Sequence, residues 1–404
     1  MAIDRSEIES EDCSLCEDCA KHPALKRFIA AYGVRDTVCG ICFRDPDEAP
    51  YLSAAPEQFV ALSNLVKALI RYEYDEERYN RHFGGDEISG LLSDPNPIIH
   101  HEETATHRRS ALDSEPYLLR LVSDVYPPYE SGVALHAGHS DGLQNTLLTA
   151  LKSGQSELFR EARKRIAQEN YYVVEPAVRK VFDAIGRRID NTVAEGTTFY
   201  RARIGTDGRY VTFEALSLNP RVRSRPYQGD LLGAPPPPLA RGGRLNRAGV
   251  SFLYLASDAE TAAAEVRPHP GHQLSVGSFR AVREVRLANF NVDIDAFAGS
   301  DEQLDLFSFI VATDNAMSRP IVPEAAGHYS ITQLVADVAR QRGFDGVVFK
   351  SSVGAGQNVC LFDSATFEYV PGSAAVKEVA ALRYKFSPVE FLLTPQADDR
   401  LIKG

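Results

Sequence analysis

The sequence predicts an α+β protein, and three observations carry that prediction. Two CxxC pairs stand close together near the N-terminus, a stretch with helical apolar spacing follows, and from residue 196 short β-prone runs alternate with helices. These features divide the chain into a cysteine-rich segment (1–50), a mostly helical part (51–195), a mixed part (196–375) and a polar C-terminal extension (376–404). A chain of 404 residues can bury a large core spread over two or three such units.

Five of the six cysteines fall within the first 42 residues, so they form a local device rather than a framework of disulfides. The spacing is Cys13-x2-Cys16-x2-Cys19, then Cys39-x2-Cys42, with a short helical linker (22–31) between. Each CxxC turn can present two thiolates, and two such turns can close a tetrahedron around zinc. Cys16, Cys19, Cys39 and Cys42 are the expected ligands of a structural zinc; Cys13 or His22 could replace one of them. Four protein ligands would leave no open position for a substrate.

The helical part is read from its apolar periodicity. Phe59, Leu62, Val66, Leu69 and Ile70 recur at helical spacing between Pro56 and Tyr74. Residues 86–140 read as irregular. Leu158, Phe159, Ala162 and Ile166 mark one further helix over 156–168, and Val178, Val181, Phe182 and Ile185 another over 175–189.

After Gly196 the pattern turns mixed. Residues 197–203 form a β-prone run in which Arg201 and Arg203 share a face and Tyr200 points the other way. Residues 214–240 read as a loop-rich excursion. The stretch 241–265 then orders a basic glycine-rich loop (Gly242, Gly243, Arg244, Asn246), an extended run with Phe252 and Tyr254, and a short helix from Asp258 that ends near Glu265. Loop, strand and helix can gather an arginine, an aromatic ring and a carboxylate round one cleft. Arginine pairs bidentately with phosphate oxygens, and a carboxylate stabilises positive charge developing at a sugar carbon. Further strands are expected at 281–287, 344–349 and 359–362, and helices at 301–312 and 330–342.

Charge and hydropathy narrow the setting. No stretch reaches the ~20 apolar residues of a membrane span, and the N-terminus lacks the basic and apolar segments of a signal peptide. The expectation is a cytoplasmic protein without membrane contact. A net charge of −11 argues against general nucleic-acid binding. No strand is followed by GxGxxG with an acidic residue about twenty positions on, which disfavours a dehydrogenase.

The pieces Tyr200-Arg201, Gly243-Arg244-x-Asn246, Tyr254-Leu-Ala, Glu265, Tyr329 through Gln333, Asp337, Gly343-x-Asp345-Gly346, Ser351 and Asn358 occur in an order that resembles the RES domain family. That family comprises toxins of bacterial toxin–antitoxin systems that degrade NAD, with a fold similar to ADP-ribosyltransferases. The resemblance covers about 196–370 and implies an ADP-ribosyltransferase-like domain. It implies that Arg201 and Arg244 hold the dinucleotide phosphates, that Tyr254 lines the nicotinamide side, and that Glu265 sits beside the nicotinamide ribose. It implies further that Ser351, with Asn358, completes the pocket, and that Asn246 contacts the dinucleotide. Leu245 stands where the family usually has tryptophan, the loop 214–240 and the insert between Glu265 and Tyr329 are long, and Ser352 and Ser330 compete with Ser351 for the family serine. The implied reaction is cleavage of the nicotinamide–ribose bond of NAD, with inorganic phosphate or water as acceptor. Transfer to a macromolecule and a non-catalytic binding role are the alternatives. An antitoxin protein is the implied partner, and self-association is left open.

Overall fold

The computed structural model describes residues 13–43, 51–79, 84–85, 88–93, 95–100, 111–123, 148–213, 220–319 and 329–383. The acidic first twelve residues and 384–404 of the expected extension lie outside the described residues.

The N-terminal half is helical, as its apolar spacing dictates. Helix α1 (Pro23–Tyr32) has proline in its first turn and is capped by His22, whose Nδ1 accepts from Ala24 N at 3.2 Å. A short pair, β1 (Gly33–Val34) with β2 (Ser53–Ala54), leads to α2 (Phe59–Glu73), which buries Leu62, Val66, Leu69 and Ile70 along one side. Two helices, α3 (Ile88–Ser93) and α4 (Ala111–Ser123), occupy a stretch expected to be irregular. Pro116 inside α4 disguises it, yet Tyr117, Leu118 and Leu121 bury one helical face. Helix α5 (Glu157–Ile166) begins at the Ser156 cap; Phe159 and Ala162 face inward, whereas Leu158, expected beside them, is exposed. Helix α6 (Tyr171–Ile185) starts ahead of the expected position and carries Pro176 within it, then tightens into a 3-10 turn up to Ile189.

The mixed part comprises β3 (Asp190–Val193), β4 (Thr198–Ile204), β5 (Gly208–Thr212), β6 (Arg221–Arg225), β7 (Leu253–Ala256), α7 (Ala259–Glu265), β8 (Gln273–Ala281), β9 (Val285–Asn289), α8 (Asp301–Ser318), α9 (Ser330–Gln341), β10 (Gly346–Lys350), β11 (Gln357–Leu361), β12 (Phe367–Tyr369) and β13 (Ala375–Glu378). Part of the expected excursion is thus a hairpin, β5 with β6. The strand expected over 281–287 is divided between β8 and β9 by a bend. Among the described residues a nine-stranded sheet runs in the order β12-β8-β4-β7-β11-β10-β9-β3, with β13 also paired to β8. The sheet begins at Asp190, upstream of residue 196, and ends at Glu378, beyond residue 375. Neighbours pair antiparallel except β9 with β10, and that parallel step is crossed by α8 and α9, as a parallel connection requires.

Side chains divide between the two faces of the sheet by strand alternation. Val347, Phe349 and Cys360 join α8, α9 and the N-terminal helices in one buried cluster that runs from Cys13 to Phe362. Leu253, Leu255, Val348, Val359 and Leu361 form a second cluster with Leu232 on the other face. A smaller group joins Ala262 of α7 to Ala202, Ala256, Leu274 and Val276 of the strands. No helix of the described residues is long and apolar enough to cross a membrane.

Helix α8 joins the two halves. Its first residue, Asp301, accepts from Arg71 Nη1 of α2 at 2.5 Å, and both side chains are almost fully buried. Desolvation works against the Arg71 charge, but Asp301 and Asp305 outweigh it and raise the guanidinium above its ordinary value. Removing one partner strands the other as a buried charge. Arg71→Ala should therefore destabilise the protein by about 3–5 kcal/mol, read as a lowered midpoint in denaturant unfolding; a loss below about 1 kcal/mol would mean the pair is solvated like a surface bridge.

Candidate active site

Glu265 ends α7, and the structure brings two of the other predicted residues onto it. Its Oε1 accepts from Ser351 Oγ at 2.7 Å and from Asn358 Nδ2 at 2.6 Å. Strand register explains Asn358: it pairs with Ala256 of β7, the strand that feeds α7. Ser351 follows the last residue of β10 and is buried. Its oxygen also receives the backbone N–H groups of Val353 and Gly354, at 3.3 and 2.9 Å, which leaves its proton directed to Glu265. Of the competing serines, Ser352 is exposed and Ser330 opens α9.

This arrangement needs the backbone of the 351–356 loop to lie directly against the cap and first turn of α7. A Cβ at Gly354 would lie 2.9 Å from Thr261 Cα, and one at Gly356 would lie 2.2 Å from Asp258 Oδ2. Thr261 Oγ1 accepts from Gly356 N at 3.0 Å, tying the loop to the first turn of α7. Asp258 caps that turn through Thr261 N at 2.7 Å, and the bond holds its carboxyl below the ordinary carboxylate value. Glu265 Oε2 receives no hydrogen bond from the described residues.

A second cluster organises the basic loop. Tyr254 donates its hydroxyl to Asn246 Oδ1 at 2.8 Å and accepts Leu245 N at 3.2 Å. Asn246 Nδ2 reaches the carbonyls of Arg241, Arg247 and Val250. Both residues thus shape the loop from within. Burial pushes the Tyr254 hydroxyl well above its ordinary value. Leu245 is buried in the main core. From outside, Gln333 Nε2 donates to the carbonyls of Gly243 and Asn246, at 2.8 and 3.0 Å, and Thr332 Oγ1 to that of Arg244. Arg247 pairs with Asp337 at 2.6 Å and lies 4.9 Å over the Tyr171 ring, whose hydroxyl also bonds Asp337.

The two predicted arginines are held differently. Arg244 donates Nη1 to the carbonyl of Met317, in the last turn of α8, at 2.8 Å. A cation suits that end of a helix, where carbonyls lack partners. Arg201 lies on β4, which pairs with β7 only at Tyr200 and Ala256. Its Nη1 bridges the two strands to the Tyr254 carbonyl at 2.7 Å, and its Nε is buried without a partner among the described residues. Burial, then the neighbouring Arg203, lowers its guanidinium to about 10.

The four expected zinc ligands also converge. The sulfurs of Cys16, Cys19, Cys39 and Cys42 lie within 4.8 Å of one another, all four residues are buried, and Cys16 to Cys42 is 3.9 Å. Tetrahedral zinc–thiolate bonds of about 2.3 Å space their sulfurs at about 3.8 Å, so the donor set fits. Neither Cys13 nor His22 belongs to the group; His22 caps α1. Hydrogen bonding to Cys16, Cys39 and Cys42, with burial, pushes the Cys19 thiol far up.

Two residues at the site were not anticipated, Asp314 and Ser318. Asp314 Oδ1 accepts from Lys350 N at 2.9 Å, and Ser318 Oγ donates to Lys350 O at 2.5 Å. The expected helix stopped at Ala312, ahead of the polar run Thr313-Asp314-Asn315. The available signal was spacing: Asp314 sits four residues after Ile310 and three before Met317, both fully buried.

Residues 219–387 match the family model of the RES domain. The matched stretch contains Arg244, Asn246, Tyr254, Glu265, Ser351 and Asn358 but not Arg201. No curated protein matches the chain. Among solved structures, the chain is similar to one in the crystal structure of the M. tuberculosis MbcT–MbcA toxin–antitoxin complex. The identity is 13%, covering 50% of this chain and 93% of that one, with a TM-score of 0.27.

Burial raises the Asp314 carboxyl to about 6, against the lowering effect of the Lys350 N–H bond. Its folded value is above that of the unfolded chain, so the folded protein binds the extra proton. Wild type should then gain about 1 kcal/mol of stability relative to Asp314→Asn as pH falls from 7 to 5. Unfolding curves for both proteins at the two pH values check this; an unchanged difference would show that Asp314 titrates as an ordinary surface carboxyl.

Proposed function

We propose that this RES domain cleaves NAD at the bond between nicotinamide and ribose, within an ADP-ribosyltransferase-like pocket. The observation that carries the reading is the hydrogen-bonded set of half-buried Glu265 with buried Ser351 and Asn358, inside the stretch that matches the RES family.

The chemistry follows from those residues. As the N-glycosidic bond breaks, its electron pair leaves with nicotinamide and positive charge grows on the ribose carbon. Glu265, aligned beforehand by two donors on Oε1, stabilises that charge through Oε2. A cationic pyridinium is already a good leaving group, so no strong general acid is required. Water then adds to the sugar carbon and releases a proton, giving ADP-ribose; inorganic phosphate gives ADP-ribose 1''-phosphate instead. Arg244 spends Nη1 on Met317 and keeps Nε and Nη2 for the dinucleotide phosphates. Tyr254 and Asn246 contribute by holding that loop in shape. Arg201 acts from beside the single β4–β7 pair, where burial with no carboxylate against it among the described residues favours an anion.

The reading includes one structural zinc on Cys16, Cys19, Cys39 and Cys42, which would lock the N-terminal segment onto α1 and α2. It also includes an antitoxin partner, as the family resemblance implies, and action in the cytoplasm.

Incubating the protein with NAD, with and without phosphate, and identifying products by mass spectrometry tests the reaction. Glu265→Gln should lower kcat about 100-fold or more with little change in KM, because its contribution belongs to the transition state. Arg244→Ala should raise KM as well, since a phosphate contact is made in the ground state. Intact NAD with wild type, or a Glu265→Gln variant as fast as wild type, would refute the assignment. ADP-ribose appearing only on added protein would convert it to transferase chemistry. Protein purified without added metal should contain about one zinc per chain, measured by elemental analysis; none in reduced, intact material removes the metal from the account.

A further inference from the structure

The serine that meets Glu265 is placed by the residue before it. Lys350 ends β10, and α8 holds both of its backbone polar groups. Asp314 accepts its N–H at 2.9 Å and Ser318 donates to its carbonyl at 2.5 Å. The two side chains stand four residues apart, one helical turn, and so meet the same strand end. Both are buried, and Asp314 forms no ion pair with any described residue. A lone buried carboxylate is costly and is tolerated only where its hydrogen bond is needed. Beyond Lys350, the Ser351 oxygen is fixed by the N–H groups of Val353 and Gly354 and points its proton at Glu265. The same turn of α8 accepts Arg244 through Met317. One helical turn therefore sets the carboxylate-bearing side of the site against the phosphate-facing arginine.

We propose that Asp314 and Ser318 are positioning residues for cleavage, fixing the Lys350 peptide and thereby the Ser351–Glu265 contact in its reactive geometry. The role rests on the NAD-cleaving reading. Neither side chain touches the reacting atoms; each acts through Lys350 and Ser351.

The experiment compares full-length Asp314→Ala, Asp314→Asn and Ser318→Ala with wild type, using NAD as the probe. Misplacing catalytic groups acts on the transition state, so Asp314→Ala should lower kcat about tenfold while KM moves less than about twofold. Asp314→Asn keeps an oxygen for the Lys350 N–H and should recover kcat to within about threefold of wild type. Hydrogen exchange at Val353 and Gly354 should quicken in Asp314→Ala and return toward wild type in Asp314→Asn. Wild-type cleavage with an unaffected Asp314→Ala, or an Asp314→Asn as slow as Asp314→Ala, overturns the positioning role alone. Wild-type protein that leaves NAD intact overturns the cleavage reading and the role with it. If Asp314→Ala does not fold, Ser318→Ala decides: a several-fold loss of kcat at steady KM supports the role, and an unchanged kcat refutes it.

Discussion

Everything at this site depends on how closely the 351–356 loop approaches helix α7. Gly354 and Gly356 allow backbone to lie against Thr261 and Asp258, with no room for a side chain between. That contact delivers the Ser351 hydroxyl to a carboxylate at the far end of the same short helix. Strand register supplies the second donor without further adjustment, because Asn358 sits opposite Ala256, two residues before the cap of α7. A helix of two turns is a weak unit by itself. Here it is held by its cap, by the sheet beneath it and by the loop above.

Helix α8 has the complementary part. It is buried on most sides, which is why Asp301, Thr313, Asp314 and Ser318 must each find a partner inside the protein. At one end that partner is Arg71 of the N-terminal helices; at the other it is the Lys350 peptide. The same rod thus touches the cysteine-rich half through α2 and the candidate site through β10. Polar groups that would be a liability in a simple apolar helix here select its rotation and its axial position.

Legibility in the sequence followed how local each signal was. Loop, strand and helix around Arg244, Tyr254 and Glu265 are contiguous, and their order could be read directly. The cysteine knuckles were legible for the same reason. Ser351 could be narrowed only to a few serines, because the deciding bond joins residues 86 positions apart in the chain. Strand β8 escaped notice: it is buried along nearly its whole length, so it lacks the polar–apolar alternation that marks a half-exposed strand. The β5–β6 hairpin escaped for the opposite reason, since residues on both of its faces are exposed. Asp314 was hidden in a polar run that resembles a helix end but continues into the interior.

Sheet order has a consequence for anyone wishing to cut this molecule down. The stretch recognisable as a RES domain starts at residue 219, yet β4, which ends at Ile204, lies in the middle of the sheet between β8 and β7. A fragment trimmed to the recognisable stretch would lose a central slat, leaving β8, β12 and β13 severed from β7 and their edges bare. It would also lose β3 from the opposite margin and helices α5 and α6, which pack on α8. Exposed strand edges of that kind invite aggregation. The smallest portable unit of this protein is set by the sheet, and its boundary falls well upstream of residue 219, where the match to the family model begins.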